Sequence, residues 1–178
     1  MKQRNTVLFI AMSLDGYIAD ANGGVDWLEG QNPEEGDGNS YDSFVCEIDT
    51  VVMGWNTYHQ IVTELSPGQW VYEGLTSYVL THRKMKKMDG IIFTDESPCD
   101  LIQRLKEKPG KDIWICGGAN TAGQLMKEGL IDRYHISIIP TLLGAGIRLF
   151  GSLKDQTKLR LVRSRVYNGI EELVYEQR

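Results

Sequence analysis

Apolar residues along this chain keep two rhythms. Val7 to Met12 is an unbroken apolar run, as expected of a central strand covered on both faces. Shorter runs of the same kind lie at Thr50–Met53, Ser77–Leu80, Gly90–Phe93 and Ile113–Cys116. Between them the spacing changes to i, i+3, i+4, which predicts helices. One has Ser40 as its cap and Tyr41, Phe44, Val45 and Ile48 on its inner face; a second carries Tyr58, Ile61, Val62 and Leu65. A third follows Ser97-Pro98, with Asp100 three residues after the serine and Leu101, Ile102 and Leu105 inward, the pattern of a capped start with proline in the first turn. The fourth carries Ala122, Leu125 and Met126 and stops at Gly129, where a left-handed residue ends a helix.

Alternation resumes at Tyr134, Ile136 and Ile138 and ends at Pro140. Near the C-terminus, Asn168-Gly169 separates Lys158–Tyr167 from Ile170–Glu176, a strong two-residue hairpin signal. Strands alternating with helices and then a hairpin predict an α/β fold, a mixed sheet with helices on both sides, as one domain over residues 1–178. Gly30 to Asn39 is acidic, glycine-rich and nearly free of apolar residues, which predicts a mobile surface loop or lid.

Composition narrows the classes. A chain of 178 residues with 42% hydrophobic content suits one domain with a sizeable core. Its net charge of −5 argues against a general nucleic-acid binder. Cys46, Cys99 and Cys116 are odd in number and lie in or beside apolar patterns, so buried or partly buried thiols in a reducing cytoplasm are expected rather than a disulfide set or a metal site. The N-terminal apolar run is short and broken by Ser13, Asp15 and Gly16, unlike a signal peptide or a membrane span. His59 and His135 lack neighbours for a metal site, and none is predicted.

Three places carry candidate chemistry. Gly117 and Gly118 join a strand to the helix beginning Ala119-Asn120-Thr121, and Gly54 joins a strand to the helix containing Thr57. Glycine lets a ligand approach the backbone, and a helix N-terminus favours a phosphate. The plain alternatives are tight turns without a ligand and, for Thr57, a helix cap. Thr81-His82-Arg83-Lys84 follows the third strand and, with Lys86 and Lys87, forms the one concentrated basic run in an acidic chain. Arg83 suits an anion as a planar donor of paired hydrogen bonds, and the alternative is a solvated turn.

The run GGANTAGQLMKEGLID with IIPTLLGAGIRLF, the opening MSLDGYIADANGGVDWL, and VVMGWNT together resemble the reductase domain at the C-terminal end of the bifunctional riboflavin-biosynthesis deaminase-reductase. More distantly they resemble dihydrofolate reductase. That resemblance implies a three-layer α/β/α fold with a mostly parallel central sheet and a terminal antiparallel hairpin. It implies NADPH held by Ala11, Gly54, Thr57, Thr81, Arg83, Gly117, Gly118, Ala119, Asn120 and Thr121. Asp26 and Asp15 would then serve proton supply, and Trp27 would line the substrate. Alternatives for these three are a helix cap for Asp26, a turn for Asp15 and core packing for Trp27. The implied reaction is like the reduction of 5-amino-6-(5-phosphoribosylamino)uracil, with a dihydrofolate-like pteridine as the second possibility and a non-catalytic NADPH-binding protein as the third. A homodimer with no membrane or nucleic-acid partner completes the expectation. The chain departs from the family at Tyr58-His59-Gln60-Ile61, where the riboflavin-pathway enzymes carry a D-P-x-L-x-x-R-like run.

Overall fold

A computed structural model describes residues 4–32, 34–35, 40–153 and 155–178. In chain order the elements are β1 (Thr6–Ser13), β2 (Tyr17–Ala19), α1 (Ser40–Val45), β3 (Ile48–Gly54), α2 (Trp55–Gln60), β4 (Thr76–Leu80), β5 (Ile91–Thr94) and α3 (Pro98–Lys106). There follow β6 (Asp112–Gly117), α4 (Ala119–Lys127), β7 (Arg133–Ile139), β8 (Ile147–Arg148), β9 (Leu159–Tyr167) and β10 (Ile170–Gln177).

Eight strands form one sheet in the order β5-β4-β3-β6-β1-β7-β10-β9. Pairing is parallel from β5 through to β7, and β10 is antiparallel to both of its neighbours, β7 and β9. The apolar run of β1 is continuous because both its faces are covered. Leu8 packs with Leu101, Ile102 and Leu105 of α3 and Leu125 of α4. Val7 packs on the other face with Phe44 of α1 and Tyr58 of α2. The result is the expected three-layer dihydrofolate reductase-like arrangement.

Local signals account for the element ends. Ser97 Oγ accepts from the Asp100 N–H at 3.1 Å and Pro98 opens α3. Gly129 sits at φ 63°; its N–H donates to Met126 O and that of Leu130 to Leu125 O, the two bonds of a Schellman ending. Asn168 and Gly169 have φ of 46° and 73°, as a two-residue hairpin turn requires.

Four expectations are corrected. Helix α1 ends at Val45, and Ile48 opens β3 instead of closing the helix. A buried position satisfies either period, and here the turn at 46–47 intervenes. Ser40 is the first helical residue, not a cap, and its hydroxyl donates to Glu172 on β10, a carboxylate only 1% exposed. After α2 the chain winds more widely, as a π-helical turn over Ile61–Leu65, which leaves Leu65 in solvent. Finally, the acidic loop is tied down where it is described. Asn168 Oδ1 accepts from Asn32 N at 2.7 Å, and Asn168 Nδ2 donates to the carbonyls of Asn32 and Glu35 at 2.9 and 3.2 Å. Residues 33 and 36–39 of that loop lie outside the described residues.

Candidate functional site

The site grows from a gap in the sheet. Strands β1 and β6 pair over only Thr6–Leu8 and Ile113–Ile115, while β1 stays paired with β7 as far as Ser13. Beyond Leu8 the carboxyl ends of β1 and β6 part, and such crevices are where parallel α/β sheets receive ligands.

Two strand-to-helix corners meet beside the gap. Gly54 ends β3 and caps α2, Gly118 caps α4 just after β6, and neither cap is closed by a side chain. The first N–H groups of both helices are therefore left for an outside acceptor. Since Met53 pairs with Gly117, the two helix starts are neighbours and their positive dipole ends add. Gly117 adopts φ 141°, open to glycine and strained for other residues, and its peptide to Gly118 is cis. Space is tight at Gly54, where a β-carbon would lie 3.1 Å from Thr121 Oγ1, while one on Gly117 or Gly118 would make ordinary contact with Thr57 Oγ1 at 3.5 Å. Thr57 is thus the third residue of α2 rather than its cap, with its hydroxyl between the glycines. Ala119 is half-buried, whereas Asn120 is exposed and accepts from Gln124 Nε2 at 2.6 Å.

A third corner adjoins these. Past β4, Thr81 Oγ1 accepts from the Arg83 N–H at 3.1 Å. The Arg83 guanidinium stacks 4.8 Å from the Trp55 ring, over the first residue of α2.

At the end of β1, half-buried Ala11 pairs with Ser137. Asp15 accepts from Ser13 Oγ at 2.6 Å and from the N–H groups of Leu143 and Gly144 at 3.1 and 2.7 Å. Those bonds, that of Ser13 foremost, hold its carboxyl down at about 2. Asp26 is exposed in a turn, and no helix starts there, so the cap alternative is removed. Trp27 is half-buried, with its indole N–H on Gly24 O at 3.2 Å. Gln60 Nε2 donates to Gly23 O at 2.9 Å, tying this loop to α2.

An aromatic wall flanks the gap on the α1 and α2 side. Phe9 stacks on Phe44 with ring centres 4.2 Å apart, and the Trp114 indole N–H donates to Phe9 O at 2.9 Å. Tyr72 sets its edge against Trp114 at 5.0 Å, and its hydroxyl meets Cys116 Sγ at 3.3 Å. Neither Gln60, Tyr72 nor Cys116 was marked as a site residue by the sequence. Their partners are 37 and 44 positions away or more, and no short motif records such distances. Chemically, the corners offer backbone donors to a polyanion, while the aromatic cluster packs the core beneath α1 and α2.

The profile of the RibD C-terminal domain family matches residues 4–170 of the chain, which belongs to that family. An uncharacterized protein of Bacillus subtilis, YwjB, is 40% identical over 97% of this chain and 98% of its own length. The crystal structure of a putative riboflavin biosynthesis protein from Shewanella sp. PV-4 superposes with a TM-score of 0.84 at 30% identity, covering 98% of this chain and 99% of that one. Dihydrofolate reductase from Enterococcus faecalis, in complex with NADP(H), shares the fold with a TM-score of 0.66 at 16% identity over 98% of this chain and 97% of its own.

Proposed function

We propose that this member of the RibD C-terminal domain family is an NADPH-dependent reductase acting on a heterocyclic substrate of the kind reduced in riboflavin biosynthesis. The observation that carries the reading is the convergence of Gly54, Thr57, Gly117, Gly118 and Thr121 at two adjacent helix starts, with Arg83 folded over Trp55 beside them. The cradle suits a dinucleotide, because every β-carbon added to it would occupy the space beside a donor hydroxyl. The names of the Shewanella and Enterococcus proteins agree with this chemistry.

In this scheme the first N–H groups of α2 and α4, with Thr57 and Thr121, hold the diphosphate, and Arg83 with Thr81 holds the 2′-phosphate. NADPH supplies a hydride when bound. Ala11, small and at the parted end of β1, leaves room for the reacting rings. Asp15, already engaged by three donors, fixes the segment after β1 against Leu143 and Gly144. Proton supply then falls to the Asp26 carboxyl, whose turn Gln60 fastens beside α2, and Trp27 borders the substrate.

Calorimetry tests the cofactor assignment. NADPH should bind tenfold or more tighter than NADH, because a hydrogen bond to a charged group is worth about 1.5–3 kcal/mol. Arg83→Gln should erase most of that preference. Equal affinities for the two cofactors in the wild type would remove Arg83 from the site. The reading extends to a homodimer through β9, an edge strand exposing Leu161, Val162 and Val166. Light scattering at micromolar concentration should give a mass near twice 20.1 kDa, and a monomer mass would reject the pairing.

A further inference from the structure

Asn168 does more than turn the hairpin between β9 and β10. Its backbone, at φ 46°, serves the turn, and glycine would serve it equally well. Its side chain serves a distant segment. Oδ1 accepts from Asn32 N at 2.7 Å, and Nδ2 donates to the Asn32 and Glu35 carbonyls at 2.9 and 3.2 Å. The Asn168 carbonyl also accepts from Gln31 N at 2.9 Å. Contact is close enough that a β-carbon on Gly30 would lie 2.4 Å from Asn168 Cγ and 2.7 Å from its carbonyl oxygen. A second attachment lies a few residues earlier, where Gln60, the last residue of α2, donates to Gly23 O at 2.9 Å.

Between these attachments runs 24–29, which carries Asp26 and Trp27 and belongs to no helix or strand. Its internal bonds are short-range: the Trp27 indole to Gly24 O, Leu28 N to Val25 O at 3.2 Å and Glu29 N to Trp27 O at 2.8 Å. A stretch so exposed keeps its place through what holds its ends. One end is tied to the helix that starts at the Gly54 corner, the other to the hairpin that completes the main sheet. Resting on the assignment of proton supply to Asp26 above, we infer that Gln60 and Asn168 are positioning residues that fix the place of the Asp26 carboxyl. A general acid works within hydrogen-bond reach of the atom it serves, so a displacement of about 1 Å lowers the rate with the acid intact.

The test uses full-length Asn168→Gly, which keeps the turn and removes the three side-chain bonds, and Gln60→Ala, which keeps the helix. Amide hydrogen exchange over 24–32 should quicken in both variants, with the rest of the hairpin unchanged. On the best-reduced heterocycle kcat should fall about tenfold or more. NADPH affinity should stay within about twofold and the melting temperature should hold, since the lost bonds run to residues 23, 32 and 35 and not to the glycine corners. Asn168→Asp, which keeps the acceptor for Asn32 N and loses the donor, should fall between Asn168→Gly and the wild type. In an Asp26→Asn background, Asn168→Gly should bring little further loss, because a tether that acts through the acid has nothing left to place. Unchanged exchange, an unchanged kcat in both single variants, or losses that multiply in the double variant overturn this inference alone. Asp26→Asn turning over like the wild type overturns the assignment of proton supply and takes this role with it.

Discussion

The glycine corners and the aromatic wall occupy the same end of the same sheet, yet they are built in opposite ways. At the corners the groups that matter are backbone N–H groups and short side chains within a few residues of a glycine: Gly54 with Thr57, Gly118 with Thr121. The wall draws Phe9 from β1, Phe44 from α1, Tyr72 from an irregular segment and Trp114 with Cys116 from β6. Local geometry makes the first, and sheet topology makes the second.

The sharpest way to break that contrast is to fill one corner while leaving the fold alone. Gly118 has φ −88° and ψ −166°, an extended conformation open to any residue, so Gly118→Val should keep its melting temperature. The added methyls would enter the space beside Thr57 Oγ1, which already lies 3.5 Å from the β-carbon position. Loss of NADPH binding detectable by calorimetry is expected, with circular dichroism unchanged. A valine variant that still binds NADPH like the wild type would make the corner a plain turn.

Asp26 tests the other side, where the effect should fall on turnover and spare the cofactor. Asp26→Asn keeps the size of the side chain and removes the acid. A drop in kcat of about a hundredfold is expected with NADPH affinity unchanged, the usual worth of a general acid being roughly that or more. Stopped-flow or steady-state NADPH absorbance on the best-reduced heterocycle measures it. Turnover equal to wild type would hand proton supply to water.

What was legible in the sequence follows the same division. Strand and helix periods gave the three layers and both glycine corners, because each depends on neighbours within one or two turns of chain. The Schellman ending at Gly129 and the turn at Asn168-Gly169 were legible for the same reason. Ile48 was misassigned because a buried isoleucine fits a helix face or a strand equally well. The tether from Asn168 to Asn32 spans 136 positions and the Gln60 link to Gly23 spans 37. No local pattern carries those distances, so the acidic loop was expected to be mobile and Gln60 passed unnoticed. Asp15 was read as a proton source through the resemblance, and the Leu143 and Gly144 donors that clamp it lie 128 and 129 positions along the chain, beyond any local pattern.

That clamp gives the smallest and most specific effect, one visible in the pH dependence of stability. Asp15 is held at about 2, below the ordinary 3.8, first by Ser13 and then by the Gly144 and Leu143 N–H groups. A carboxyl whose folded value is depressed takes up protons more readily in the unfolded chain. Its contribution is therefore complete above the unfolded value and is lost as pH falls through about 2. Asp15→Asn removes the charge and turns an amide N–H toward backbone donors. At pH 7 the variant should melt below the wild type, with the difference narrowing steadily between pH 4 and pH 2. NADPH affinity at pH 7 should change little, because Asp15 bonds to the segment around Leu143 and Gly144 and not to the glycine corners. A melting difference that stays constant down to pH 2 would mean that the shape of the side chain, and not its charge, fastens the end of β1. A kcat loss at unchanged stability would return Asp15 to the list of proton donors.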